Sequence, residues 1–251
     1  MLKIRPEQLK TLEQKRRPKF EDYMVRHLGE HFPQHVRLWG PERTAKVVRG
    51  GVKAARGHEF QSDHDLCLYV DLCVMLGIGF DTDVQLRWAQ EILSRTDITA
   101  PTERVERLYD AALAYLDKVV GADEVFPVAA YRKLCDYSLD ESAPRLEAQL
   151  RQGILGELRR IWPQKYRQVG AGRLGRLVDE GIRAAGGYGF TEARHVGYYL
   201  ILMYVFGHQF DGDPQYRWAV PFLTDERAGD ARQRMERLIS RVCAVLGEVL
   251  T

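Results

Sequence analysis

Long apolar runs are missing from this sequence. The longest, Tyr198 to Phe206, falls far short of the roughly 20 residues that a membrane-crossing helix needs. The opening residues Met1-Leu2-Lys3-Ile4-Arg5-Pro6 hold no apolar stretch of the length a secretory signal requires. Cysteine is scarce as well. Cys67, Cys73, Cys135 and Cys243 form no CxxC pair and no Cys/His ligand spacing, so neither a zinc site nor a disulfide framework is expected from them. Free thiols suit a reducing compartment. Charge of one sign is not in excess: 37 Lys and Arg against 35 Asp and Glu leave a net +2. No overall field therefore draws the chain to nucleic acid, an anionic membrane or a polyanionic substrate. Strand-like alternation is absent, as are a Gly-rich phosphate loop and a GxSxG nucleophile turn. With 45% hydrophobic and 29% charged residues over 251, what remains is an ordinary globular composition. These features together predict a cytoplasmic all-α protein with no membrane partner and no cofactor.

What the sequence does contain is an internal repeat. Phe32-Pro33-Gln34 matches Trp162-Pro163-Gln164 at an offset of 130 residues, and that offset holds without a gap to the end of the chain. Gly40, Arg43, Gly51, Phe60, Tyr69, Leu72 and Gly77 fall on Gly170, Arg173, Gly181, Phe190, Tyr199, Leu202 and Gly207. The densest stretch aligns Phe80-Asp81-Thr82-Asp83-Val84-Gln85-Leu86-Arg87-Trp88-Ala89 with Phe210-Asp211-Gly212-Asp213-Pro214-Gln215-Tyr216-Arg217-Trp218-Ala219. Roughly a third of the aligned positions are identical, the mark of a duplicated supersecondary unit. The expected architecture is a tandem duplication of a four-to-five-helix unit, packed as one pseudo-symmetric body. Residues 1–120 form the first unit, 121–143 a packed connecting segment and 144–251 the second unit.

Each unit reads as the same series of helices, about ten to twelve in all. One runs from Pro41 to about Arg56, with Ala171 to Ala185 as its partner. Ser62 and Thr191 stand where N-caps belong. The helix from Asp63 to Leu76 and its partner ending at Phe206 are apolar nearly all round, as central helices are, and Gly77 and Gly207 end them. Asp83 and Asp213 are expected to cap short helices reaching Leu93 and Leu223. A long helix from Pro101 to Val120 answers one from Gly229 to about Leu250. Amphipathic helices precede each unit at Phe20–His31 and Arg145–Ile161, and Val128–Tyr137 is helical within the connecting segment.

Several residue sets could carry chemistry. The paired acidic motifs could be two catalytic or metal-binding sites at Asp81/Asp83 and Asp211/Asp213. Two carboxylates fall short of the about six to eight oxygens of a calcium cage. Structural roles explain more: the second Asp caps a helix, the first closes a turn, Arg87 and Arg217 pair locally, and Trp88 and Trp218 anchor the core. His27-Leu28-Gly29-Glu30-His31 fits HxxEH, a zinc spacing, but Gly29 weakens the helix, Phe32-Pro33 ends it, and spacing supplies no third ligand. Glu192 and His195 make only a lone ExxH; His58, His64 and His208 suit surface or hydrogen-bonded positions. Basic residues gather at Lys15, Arg16, Arg17 and Lys19 and along one helix at Arg43, Lys46, Arg49, Lys53 and Arg56. The matching helix carries Asp179 and Glu180, so an acidic protein partner is expected in preference to nucleic acid. Asp71 interrupts an apolar helix where the other copy has Ile201. Asp71, Arg49, Lys53, Tyr198 and Tyr204 are therefore the candidate protein-contacting residues, and no catalytic, cofactor-binding or metal-ligating residue is assigned.

The segments Phe20-Glu21-Asp22-Tyr23-Met24-Val25-Arg26-His27-Leu28, His31-Phe32-Pro33 and Phe80 to Ala89 resemble a group of helical proteobacterial proteins encoded in type VI secretion clusters, beside spike (VgrG), PAAR and effector genes. That resemblance covers most of the first unit and carries no catalytic residues. It implies a non-enzymatic accessory factor that binds a secreted effector or spike component as adaptor, chaperone or immunity protein. The alternative from another class is a helical small-molecule- or metal-dependent enzyme using the paired Asp motifs in a cleft. Oligomeric state is not readable.

Overall fold

The computed structural model describes residues 20–137, 147–225, 227 and 229–249; the basic run at Lys15, Arg16, Arg17 and Lys19 lies outside them. Among the described residues there are twelve α-helices and no strand. Helix α1 covers residues 20–31. Then come α2 (Pro33–Gly57), α3 (Asp63–Leu76), α4 (Arg87–Leu93), α5 (Pro101–Val120) and α6 (Val125–Cys135). The later helices are α7 (Glu147–Ile161), α8 (Pro163–Val169), α9 (Ala171–Gly187), α10 (Ala193–Phe206), α11 (Val220–Thr224) and α12 (Ala231–Val249). Short 3-10 turns at Val84–Leu86 and Pro214–Tyr216 lead into the α4 and α11 regions.

Local chemistry accounts for most of the boundaries. The Ser62 hydroxyl accepts the Asp65 N–H at 3.1 Å, satisfying one of the free donors at the start of α3. Pro101 opens α5 at its first turn, where a missing N–H costs nothing. Two expectations need correction. The helix starts at Pro41 and Ala171 are as expected, but each is preceded by a helical segment that was not, from Pro33 to the kink at Gly40 (φ +70°) and from Pro163 to Val169 before Gly170 (φ +84°). Those segments, between a proline and a glycine, are too short to show a helical period. Thr191 is not an N-cap either: Glu192 stands there and makes no side-chain cap, because α10 starts one residue later than the apolar pattern suggests.

The core forms two clusters, one from α1 to α5 and one centred on α10. α3 packs on α2 and α5, and α10 packs on α9 and α7. Every residue from His195 to Phe206 is buried, as a helix apolar on all faces requires. The crossing of α9 and α10 is tight: a Cβ on Gly181 would lie 2.0 Å from Leu200 Cδ2. No helix among the described residues is long and apolar enough to cross a membrane.

One expectation about cysteine is overturned. Cys135 and Cys243 form a disulfide between α6 and α12, with Cα atoms 5.6 Å apart. Their separation of 108 residues is not a spacing that sequence can pair. Cys67 and Cys73 remain free thiols. Closing so long a loop removes much unfolded-state entropy. Reduction, or a C135S/C243S variant, should lower unfolding free energy by about 4 kcal/mol, measured by urea denaturation with and without reductant.

Candidate functional site

The paired acidic motifs meet at the centre of the molecule. Asp83 Oδ1 accepts the Gln85 N–H at 2.8 Å, and Asp213 Oδ1 accepts the Gln215 N–H at 2.9 Å. Each Asp also reaches across to the other half of the chain. Asp83 Oδ2 accepts the His208 N–H at 3.0 Å, just beyond the end of α10, and Asp213 Oδ2 accepts the Ile78 N–H at 2.8 Å, just beyond the end of α3. The glutamines add a second donor to helix carbonyls that already accept the terminal glycine N–H: Gln85 Nε2 donates to Met203 O at 3.1 Å, and Gln215 Nε2 to Cys73 O at 2.8 Å. Gly77 (φ +93°) and Gly207 (φ +105°) make this possible, since only glycine adopts that backbone without strain.

The first aspartates are equally committed. Asp81 accepts from Tyr69 Oη at 3.0 Å and sits 2.7 Å from His58 Nε2. Asp211 accepts from Tyr199 Oη at 2.8 Å and Tyr188 Oη at 2.7 Å. Burial pushes the Asp81 carboxyl up, but the hydrogen bonds from His58 and Tyr69 outweigh it and hold it below the usual carboxylate range. Arg87 pairs with Glu91 at 2.9 Å, whereas Arg217 is exposed. Trp88 and Trp218 are half-buried against the two cores. A further pair matches at the 130-residue offset: Arg104 donates to His58 O while lying over Phe60, and Arg234 donates to Tyr188 O while lying over Phe190.

The candidate protein-contacting residues separate. Tyr198 and Tyr204 are fully buried, and the Tyr204 hydroxyl donates to Trp162 O at 2.7 Å, so both belong to the core with no surface to offer a partner. Arg49 and Lys53 are exposed on α2, with Arg49 3.4 Å from Glu21. Asp71 is 6% exposed and takes part in a polar cluster with α1.

Between the halves runs an aromatic groove of 150 Å³, lined by Trp39, Arg43, Tyr131, Tyr216, Trp218 and Arg241 among others. Phe206 forms its floor, 4.7 Å from Tyr216 by ring centroid. It shares His35, Tyr131, Phe206 and Tyr216 with a larger cavity of 640 Å³. Lys165 lines that cavity, donates to Tyr204 O and lies over the Trp162 and Tyr204 rings. Burial brings its ammonium down to about 8, against a weaker opposing pull from Asp83.

The remaining cluster joins α1 to α3. His27 Nε2 lies 3.0 Å from both oxygens of Asp71 and 3.6 Å from Cys67 Sγ. The His31 ring stands next to it, with centroids 4.4 Å apart. Burial pushes the Cys67 thiol up to about 12, and the Asp71 charge adds to that. Burial also raises the Asp71 carboxyl, against the pull of His27. A Cys–His–Asp nucleophilic relay needs the thiol and the carboxylate on opposite ring nitrogens and a thiol that ionises readily. Here both partners converge on one nitrogen and the thiol is suppressed, so the arrangement is not that of a catalytic triad. HxxEH spacing had singled out His27 and His31, and the break in an apolar run had singled out Asp71; Cys67 and the link between the two pairs escaped because that link is tertiary.

Comparison with models of known protein families, with characterised proteins and with solved structures gives no match for this chain.

Two stability tests follow from this geometry. Asp83→Ala or Asp213→Ala breaks a cap and a bond between halves together, so each should cost roughly 2–4 kcal/mol, above the ~1 kcal/mol of an ordinary cap. The double variant should lose less than the sum, read from a urea denaturation cycle. For Lys165, a folded-state value below the unfolded one means that the unfolded chain binds more protons between about pH 8 and 10.5, so stability rises with pH there. Lys165→Met should be more stable than the parent at pH 7, and its advantage should shrink by about 2 kcal/mol by pH 10. Unfolding free energies at both pH values check this.

Proposed function

We propose that the chain is a tandem duplication of one four-to-five-helix unit and acts as a non-enzymatic, protein-binding accessory factor. In this reading it serves a bacterial type VI secretion or effector–immunity system as effector adaptor, chaperone or immunity protein, and its partner is a secreted effector or spike component. Support for the duplication comes from the repeat and from element bounds that recur 130 residues on, such as Asp63–Leu76 and Ala193–Phe206. Support for the setting comes from the resemblance in the α1 and Phe80–Ala89 segments.

The observation that carries protein binding is the composition of the groove. Two Trp, two Tyr and two Arg line it, the residue types that dominate binding hot spots. Trp39, Tyr131, Tyr216 and Trp218 are half-buried there and Arg241 is exposed. Arg43 and Arg241 suit a partner segment with an acidic group beside an apolar side chain. The enzymatic alternative loses support, because Asp81, Asp83, Asp211 and Asp213 are all engaged in internal hydrogen bonds, leaving no free acid–base pair.

Pull-down against the effector and spike proteins encoded beside the gene should recover a stoichiometric complex. Trp39→Ala and Arg241→Glu should each weaken it about tenfold or more by titration calorimetry. No complex with any of these proteins, or one indifferent to both substitutions, overturns the reading.

A further inference from the structure

The cluster of His27, Cys67 and Asp71 does not belong to the groove or to the reciprocal corners. It is made of two pairs spaced one helical turn apart, His27/His31 on α1 and Cys67/Asp71 on α3, which face each other across one helix seam. One ligand atom from each of His27, Cys67 and Asp71 lies within 4.8 Å of the others. The equivalent positions in the second half, 130 residues on, are Glu157, Ile161, Gly197 and Ile201. There Ile161 and Ile201 are buried hydrocarbon, 1% and 0% exposed. The same seam can thus be closed with apolar side chains, and the first half instead places an imidazole, a thiol and a carboxylate in it. Burying such groups costs stability unless they are paired or coordinate a metal.

We propose that His27 Nε2, Cys67 Sγ and Asp71 bind a divalent transition-metal ion of the zinc type, with the fourth position taken by His31 or water. Geometry supports this. A tetrahedral zinc ion, with bonds of about 2.0–2.3 Å, holds nitrogen and sulfur ligands roughly 3.5 Å apart; Nε2 and Sγ are 3.6 Å apart. The carboxylate lies 3.0 Å from Nε2, roughly 0.4 Å short of the tetrahedral N···O spacing, and within 4.8 Å of Sγ. A mixed N/S/O set selects zinc or cobalt over magnesium and calcium, which prefer oxygen alone. On binding, the Cys67 thiol gives its proton to solvent and coordinates as thiolate, and His27 coordinates through the Nε2 lone pair with its proton on Nδ1. Affinity therefore rises with pH.

The test uses the full chain with its disulfide intact, freed of metal by a chelator and titrated with Zn²⁺ and Co²⁺ without thiol reductant. One equivalent of Co²⁺ should give a sulfur-to-cobalt charge-transfer band, displaced by one equivalent of Zn²⁺. Cys67→Ser should abolish the band while leaving the circular dichroism spectrum unchanged. His27→Ala should weaken Zn²⁺ binding at least tenfold. Asp71→Ile, which installs the second half's residue, should lose the metal and keep or raise the melting temperature. A C135S/C243S variant should retain the band. Absence of stoichiometric binding, or a band that survives Cys67→Ser, overturns the proposal. So does Asp71→Ile unfolding the metal-free protein, which would mark Asp71 as a purely structural partner of His27.

Discussion

The junction where α3 and α10 end holds the molecule together. Each helix finishes at a glycine, and the last carbonyls and following amides of each are satisfied by side chains from the opposite half: Asp83 and Gln85 for α10, Asp213 and Gln215 for α3. Helix ends buried in a protein interior must find such partners or lose several hydrogen bonds. Each half supplies one donor of its own, Gly77 N–H to Cys73 O and Gly207 N–H to Met203 O, and the other half supplies the rest. Dependence of each half on the other's loop fixes their relative position, and the groove and larger cavity are consequences of that placement.

Positions that match at the 130-residue offset recur around this junction. The repeated positions build the corners: Tyr69 and Tyr199 hold Asp81 and Asp211, and Arg104 and Arg234 brace the backbone before α3 and α10. Cys67 and Asp71 lie on the central helix of one half only, and the aromatic groove draws its walls unequally from α2, α6 and the second half.

Much of the fold was legible because it rests on local rules. Ser62, Asp83 and Asp213 read as caps and are caps, and the 3.6-residue period of Val105, Leu108 and Ala112 placed α5 from Pro101 to Val120. Failures came where a tertiary partner decides. Nothing in the sequence could say that Asp83 caps α10 as well as its own turn. Cys135 and Cys243 lie 108 residues apart and show no pairing signal. Tyr198 and Tyr204 carry hydroxyls that suggested a surface, yet Trp162 O gives Tyr204 a buried acceptor. Asp71 was singled out because it breaks an apolar run, but the imidazole and thiol that surround it became apparent only once α1 was docked on α3.

The bridge from Cys135 to Cys243 also divides the chain covalently. It ties α6 to α12 and so encloses all of α7 to α11 in one covalent ring, whereas the first-half cysteines, Cys67 and Cys73, are free. Thermal opening should therefore begin with α1 and α2, whose release needs no ring to be threaded or stretched. That is the half carrying the His27–Cys67–Asp71 seam and Trp39 at one wall of the groove. The ring leaves that half outside the covalent loop and the other within it.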